Sequence, residues 1–452
     1  MKILLVNPSS RGAFRVVGFL LPPLGLLYVA AAARRRGHEV RVIDRSVDRR
    51  PVPFGDADVA GIHSDTTRID RALALARQAK RAGCRVVMGG PHPCFMAEEI
   101  LATGAVDAVV RGEGEASFPA LLEAWASGSD PSSVPGLILP AEGGVLDTGE
   151  RPRILDVDAL PFPARDLVDL GRYDRARMHG RPITPLHTSR GCPFACRFCS
   201  STRFDGARWR ARSAGSVVEE VEHVVKDLGF RAVCFMDDNF TFSPRRVEAI
   251  CDGILSKGLD VRWWCFSRVD TIARHPDMVR RMAEAGGRSI FIGVESPTAR
   301  VLERFGKGIG PDQARKAVSF LKQNGFEVLA SYILGAPEET RGDLRTTIRF
   351  ARELDTHTAQ FTLLTPYPGT ALYDDLRDRI RERNWRKYDS IHAVFEHPSI
   401  SRLELQMWLG RAYLSFYLRN RRSVANLLRF FSLRKFGLQA LGQMARGALA
   451  ST

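Results

Sequence analysis

The sequence predicts an α/β protein: a Rossmann-like, doubly wound parallel sheet, then a partial (β/α)6 barrel, then a helical C-terminal region. Three observations carry that expectation. Short β-rich runs alternate with helical patterns over residues 1–130 and again over 182–380. Residues 131–181 between them are rich in Gly, Pro and Asp and read as a linker. From 381 to 452, apolar and basic residues recur at helical spacing.

In the first unit the β-rich runs are Lys2–Val6, Glu39–Ile43, Val59–Ile62, Arg85–Met88 and Ala108–Val110. Leu24–Arg36 is rich in Leu and Ala and stops at Gly37, the pattern of a helix with a C-terminal glycine. Ligands of such sheets sit beyond the carboxyl ends of the strands, here residues 7–12, 44–46, 63–67, 89–92 and 111–115. Ser64, Gly89, Gly90, His92, Gly112 and Glu113 are therefore candidate ligand contacts, with the glycine pair allowing close backbone approach. His92 reads equally as a turn residue that bonds locally. No Gly-x-Gly-x-x-Gly follows the first strand, so a dinucleotide fingerprint is missing. In the linker, Pro161 and Pro163 fix extended backbone.

The second unit carries six strand runs, Ile183–Thr188, Ala232–Met236, Arg262–Phe266, Ser289–Gly293, Val328–Leu334 and Gln360–Leu364. A partial barrel of this kind keeps its chemistry at the C-terminal strand ends. The tail, with apolar groups at 408–409, 413–418, 427–433 and 436–438 among arginines, reads as amphipathic helices. They close the barrel with solvated arginines, or they meet a membrane surface or a lipophilic or anionic substrate.

Composition sets bounds. The 452 residues suggest about three folding units, and 44% apolar with 26% charged residues is ordinary for a globular protein. Eight cysteines, only three of them clustered, do not make a disulfide framework, which points to a reducing cytoplasm. The N-terminus lacks the apolar core of a signal peptide, and no apolar run is long enough to cross a bilayer. A net charge of +15 raises the question of nucleic acid. From Ser401 onward, however, nine Arg or Lys face the single Glu404, so about half the excess lies in the tail, and no nucleic-acid partner is expected. The chain is expected in the cytoplasm, with peripheral membrane contact through the tail as the further possibility.

The chemistry centres on Gly191-Cys192-Pro193-Phe194-Ala195-Cys196-Arg197-Phe198-Cys199-Ser200. An all-protein zinc or iron–sulfur site wants four ligands, and this loop supplies three thiolates. Cys234 lies in an apolar run that reads as a buried strand and is a poor fourth ligand. One iron of a [4Fe–4S] cluster held by Cys192, Cys196 and Cys199 would stay open to a substrate or cofactor. A zinc knuckle is the competing reading.

The Cys-x-x-x-Cys-x-x-Cys spacing, with Phe198 before the last thiol and the loop following the first barrel strand, resembles the cluster loop of the radical SAM superfamily. The resemblance implies that S-adenosylmethionine (SAM) chelates the open iron and is cleaved to a 5′-deoxyadenosyl radical. It places Asp238, or alternatively Asp237, on the SAM amino group. Arg268 is placed on the SAM carboxylate, with a structural Arg268–Asp270 pair as the other reading, and Glu295 on the ribose. Residues 331–338 resemble the strand beside the adenine, with a departure at Ser331, Gly335 permitting close approach and Glu338 steadying the loop. Tyr367 touches SAM or substrate, or simply packs.

The stretches Pro22-Pro23-Leu24-Gly25, Gly89-Gly90-Pro91-His92 and Arg111-Gly112-Glu113-Gly114-Glu115 resemble the cobalamin-binding domain that precedes many radical SAM domains. None of His38, His63 and His92 sits in an Asp-x-His-x-x-Gly loop, so cobalamin would be bound without a lower histidine. Together these features resemble the cobalamin-dependent radical SAM group of carbon methylases and the anaerobic oxidative cyclase. The resemblance implies C-methylation of an unactivated carbon in a small-molecule substrate, a lipophilic one among the options, with an external flavodoxin- or ferredoxin-like electron donor. Three other readings stand beside it: cyclisation or rearrangement without methyl transfer, transfer-RNA methylthiolation, and a non-enzymatic cobalamin or cluster sensor. Methylthiolation needs three further cluster cysteines in the N-terminal unit, where only Cys84 and Cys94 occur.

Overall fold

The computed structural model describes residues 1–9, 20–150, 153–173 and 175–430. Expectations placed on residues 10–12 and on 431–438 of the tail lie outside these.

The first sheet contains β1 (Lys2–Asn7), β2 (Glu39–Asp44), β3 (Val59–His63), β4 (Arg85–Gly89), β5 (Ala108–Val110), β6 (Leu137–Ala141) and β7 (Gly144–Asp147), in the order β2-β1-β3-β4-β5-β6-β7. The first five strands are parallel. Alternate residues feed two cores. Leu4, Val6, Ile62, Val86 and Met88 pack under helix Ile69–Arg81. Ile3, Leu5, Val40, Val59 and Val87 pack under helices Leu24–Arg35 and Gly114–Ser127. Burial on both faces is why these strands read as continuous apolar runs. The sheet does not end near residue 130: β6 and β7, from the stretch read as linker, extend it antiparallel around a tight Glu142-Gly143 turn. Every residue of β7 is exposed, so no apolar alternation marked it.

The second sheet begins with the hairpin of β8 (Arg177–Met178) and β9 (Arg181–Leu186). A small antiparallel pair, β10 (Ser189–Arg190) and β11 (Arg210–Ala211), follows. Then come β12 (Ala232–Phe235), β13 (Arg262–Arg268), β14 (Gly287–Glu295), β15 (Glu327–Leu334) and β16 (Thr358–Leu363). The order β16-β15-β14-β13-β12-β9-β8 makes six parallel strands laid down in sequence, an open half-barrel. Trp263, Cys265, Ile290, Ile292, Val328 and Ala330 point outward into the core shared with the surrounding helices. Their sequence neighbours Trp264, Phe266, Phe291 and Leu329 line the concave face, as the two-residue period of a strand requires.

The helix Arg402–Tyr417 walls off the open edge. The Tyr417 hydroxyl accepts from Ala359 N–H at 3.1 Å and donates to Ala359 O at 2.9 Å. Tyr413 does the same at Phe361, at 3.3 and 3.0 Å. Edge-strand groups that a further strand would pair are thereby satisfied. This helix buries Leu405, Trp408, Leu409, Ala412 and Phe416 yet exposes Leu403, Met407 and Leu414, with exposed Leu418 just beyond its end, so it is apolar on two sides rather than amphipathic. Among the described residues no helix is long and apolar enough to cross a membrane.

Candidate functional site

The carboxyl ends of both sheets meet. Arg190, at the start of the cysteine loop, pairs with Glu115 at 2.6 Å and approaches Glu113 at 3.6 Å, its guanidinium 5.2 Å from the Tyr28 ring. Arg210 of β11 pairs with Glu113 at 2.8 Å. At the far side Arg386 pairs with Asp70 at 2.7 Å, and the Trp385 ring stands edge-on to His92, 4.9 Å between centroids. A Cβ on Gly369, beyond β16, would run into the Phe95 ring beyond β4, so the two edges touch there.

The cysteine loop is built from its base upward. Asp237, fully buried after β12, accepts from Thr188 N at 2.6 Å, Thr188 Oγ1 at 2.5 Å and Ser189 Oγ at 2.7 Å, which fixes the strand end from which the loop springs. Gly191 has φ +75°, and a Cβ there would stand 2.6 Å from Arg208 O. Further along, Arg197 N–H donates to Phe305 O at 2.9 Å, Leu372 N–H donates to Arg197 O at 3.1 Å, and Phe198 packs edge-on against Phe305 at 5.2 Å.

Each thiol has a donor near it. The Phe194 backbone N–H donates to Cys192, both the backbone and the hydroxyl of Ser201 donate to Cys199, and Arg268 Nη1 lies 3.9 Å from Cys196 Sγ. Burial pushes the Cys192 thiol up to about 11 and raises Cys199, so as free thiols both hold their protons at neutral pH. Held to a cluster, the three would be thiolates, whose charge these donors would stabilise. Among the described residues no three His, Cys, Asp or Glu side chains converge as ligands of one ion. Cys234, Cys251 and Cys265 are buried away from the loop in strand and helix cores.

The other strand ends divide. Asp238 is exposed and accepts from Ser201 Oγ at 2.9 Å, so it lies against the loop, whereas Asp237 is taken up by Thr188 and Ser189 and is not available as the alternative. Arg268 is buried, with Asp270 at 3.0 Å, Lys307 O at 2.7 Å and the Phe194 ring at 3.7 Å. Its structural pair with Asp270 is therefore formed, while Nη1 still faces Cys196. Glu295 closes β14 with φ +62° at a register shift and pairs with Lys307 at 2.9 Å. Gly335 has φ +87° and donates its N–H to Glu339 at 2.6 Å, and Ala336 does so at 2.9 Å. Glu339, not Glu338, steadies this turn: Glu338 faces outward to Arg304 at 3.2 Å. Tyr367 donates to or accepts from Ser390 Oγ at 2.9 Å.

On the first sheet's edge, Gly90 has φ +105° and lies against Ser64 and His63, where a Cβ would stand 2.5 Å from Ser64 O. Ser64 is buried and donates to Asp65 O at 2.8 Å, Gly89 ends β4, and Gly112 turns with φ +66°. His92 is buried with Nδ1 3.2 Å from Thr66 Oγ1, and burial lowers it to about 4, so the ring is a local partner of Thr66 and Trp385. Glu113 is drawn into the arginine seam rather than left facing a ligand.

Comparison with known proteins agrees with this layout. The description "Radical SAM superfamily" matches residues 186–351, and "B12 binding domain" matches residues 10–122. An uncharacterized methyltransferase of Pyrococcus horikoshii is 39% identical over 93% of each chain. This chain belongs to the radical SAM superfamily. The anaerobic magnesium-protoporphyrin IX monomethyl ester cyclase of Rubrivivax gelatinosus is 27% identical over 92% of this radical SAM chain and 78% of its own. The structure of the radical S-adenosylmethionine methyltransferase TsrM from Kitasatospora setae, with cobalamin and [4Fe–4S] cluster bound, shares the fold at a TM-score of 0.72, with 20% identity over 83% of this chain and 78% of that one.

Membership implies a [4Fe–4S] cluster with SAM, and the B12-binding domain implies cobalamin. The donor set around Cys192, Cys196 and Cys199 suits the cluster. Sequence reasoning missed Lys307 and Glu339 in this radical SAM domain. Lys307 had a signal, since Gly306 and Gly308 flank it and both have positive φ. Glu339 had none beyond its neighbour's resemblance to the family pattern.

Proposed function

We propose that the chain is a cobalamin-dependent radical SAM methyltransferase that methylates an unactivated carbon of a small molecule with an apolar body. The observation that carries this is the meeting of the two carboxyl edges, held by the Arg190/Arg210–Glu113/Glu115 seam and the Trp385–His92 contact. That arrangement sets an edge suited to a corrin against an edge suited to SAM. When bound, the cluster supplies the electron that cleaves SAM, and cobalamin supplies the methyl group.

The chain's own residues then have distinct parts. Cys192, Cys196 and Cys199 hold the cluster and leave one iron open. Asp238 takes the SAM ammonium and Arg268 Nη1 its carboxylate, each by charge-assisted hydrogen bonds. Glu295, already beside Lys307, faces the ribose, and Gly335 admits the adenine. His63 packs on Gly90 and His92 on Trp385, so neither imidazole would serve as a ligand to a corrin held at this edge. Trp264, Phe266 and Phe291 form a ring ladder on the concave face, centroids 4.9 and 5.1 Å apart, that excludes water and seats an apolar substrate.

The electron comes from an external flavodoxin- or ferredoxin-like carrier, whose acidic surface the net charge of +15 favours. Exposed Leu403, Met407, Leu414 and Leu418, followed by exposed Arg421 and Arg422, support peripheral contact with an anionic membrane. Similarity to the cyclase favours a second reading, ring closure without methyl transfer. Anaerobically purified protein from a cobalamin-fed host is expected to hold corrin and about four irons lost in Cys196→Ala, and to pass a trideuteromethyl group from labelled SAM into product. Iron without corrin, or 5′-deoxyadenosine with an unmethylated product, overturns methylation.

A further inference from the structure

The turn after the short helix Ala299–Arg304, which follows β14, grips the cysteine loop and brings a buried cation to it. Phe305 contributes both its carbonyl, to Arg197 N–H at 2.9 Å, and its ring, to Phe198. Gly306 has φ +62°, and a Cβ there would stand 3.1 Å from Ala195 O. Lys307 comes next, with its carbonyl held by Arg268 Nη2 at 2.7 Å and its ammonium 5.7 Å from the Phe198 ring centroid. The position is made to measure: a Cβ on Gly293 would overlap the Glu295 carboxylate and stand 2.7 Å from Lys307 Nζ, so the glycine makes room for the pair. Glu295 reaches Lys307 only because its own backbone takes the left-handed conformation at the bulge. Burial alone would lower the Lys307 ammonium, but Glu295 and then Cys196 raise it above the ordinary lysine range, so it stays charged.

Resting on the reading of Cys192, Cys196 and Cys199 as cluster ligands, we infer that Lys307 is a positioning residue that sets the reduction potential of the cluster, with Glu295 as its counterweight. Reduction by one electron from a low-potential carrier adds one negative charge beside Cys196, and a fixed ammonium in a water-poor site stabilises that added charge. Glu295 offsets part of the effect. Removing the cation therefore makes reduction harder, and removing the anion makes it easier. A purely structural Lys307–Glu295 pair would give both variants the same loss and no opposite shifts.

The test is a dithionite potentiometric measurement of the reconstituted cluster, followed by electron paramagnetic resonance, with iron content determined on each sample. Lys307→Met is expected to shift the midpoint negative, Glu295→Gln to shift it positive, and Lys307→Arg to stay near wild type. Iron-loaded variants with unmoved midpoints, or with shifts of the same sign, overturn the inference alone. If Lys307→Met takes up no iron, the sign of the Glu295→Gln shift decides. A wild-type protein that takes up no iron overturns the cluster reading beneath it.

Discussion

At the scale of single residues, adjacent acids have opposite fates here. Asp237 and Asp238 are alike in sequence, yet one is inside, bonded to Thr188 and Ser189, and the other lies exposed against Ser201. Both lie in the turn beyond β12, where no two-residue period assigns the faces, so the Thr188 and Ser189 donors decide which acid is taken inside. Glu338 and Glu339 repeat the lesson. Burial raises the Glu339 carboxyl to about 7 from an ordinary 4.5, even though it accepts from two backbone N–H groups. Between about pH 4.5 and 7 the folded chain then holds a proton that the unfolded chain has released, so stability from this group is full below that window and falls as pH rises through it. Glu339→Gln is expected to flatten the fall of melting temperature with pH across that range. An unchanged pH profile would show that Glu339 does not carry it.

Elements with strong periodicity were legible in the chain, and those whose role depends on a distant partner were not. All eleven expected strand runs appear within a few residues of their expected limits, because each is apolar enough to be buried on at least one face. The exposed hairpin strand β7 escaped for want of apolar residues, while helix Arg402–Tyr417 was expected as an amphipathic helix and is instead apolar on two sides. The function of that helix at the barrel edge rests on two hydroxyls. Tyr417→Phe leaves the Ala359 N–H and C=O without their partner in a buried place and is expected to cost about 1–3 kcal/mol in urea denaturation. Tyr413→Phe, at a less buried site, should cost less, and equality of the wild-type and Tyr417→Phe midpoints would remove the edge-capping role.

For the whole molecule, the decisive feature is the seam that sets one sheet edge against the other. Glu113 was expected to face a ligand and instead joins Arg210 and Arg190 in a water-poor interface. Glu113→Ala strands those guanidinium groups and is expected to destabilise the fold by about 3–5 kcal/mol, with faster proteolysis between the two units. A loss under about 1 kcal/mol would place the pair among weak surface bridges. By itself the sequence determined the two alternating α/β units, the three-thiol loop after the first barrel strand and the glycine-bearing strand ends, because local periodicity and ligand spacing are written in consecutive residues. Only the tertiary structure decided that Lys307 pairs with Glu295 near the Phe198 ring of the cysteine loop, that Glu339 rather than Glu338 braces the Gly335 turn, and that Glu113 belongs to a seam. Those outcomes depend on which side chains are brought together from segments far apart in the chain and on how much water is left between them, and neither quantity is carried by any one stretch of sequence.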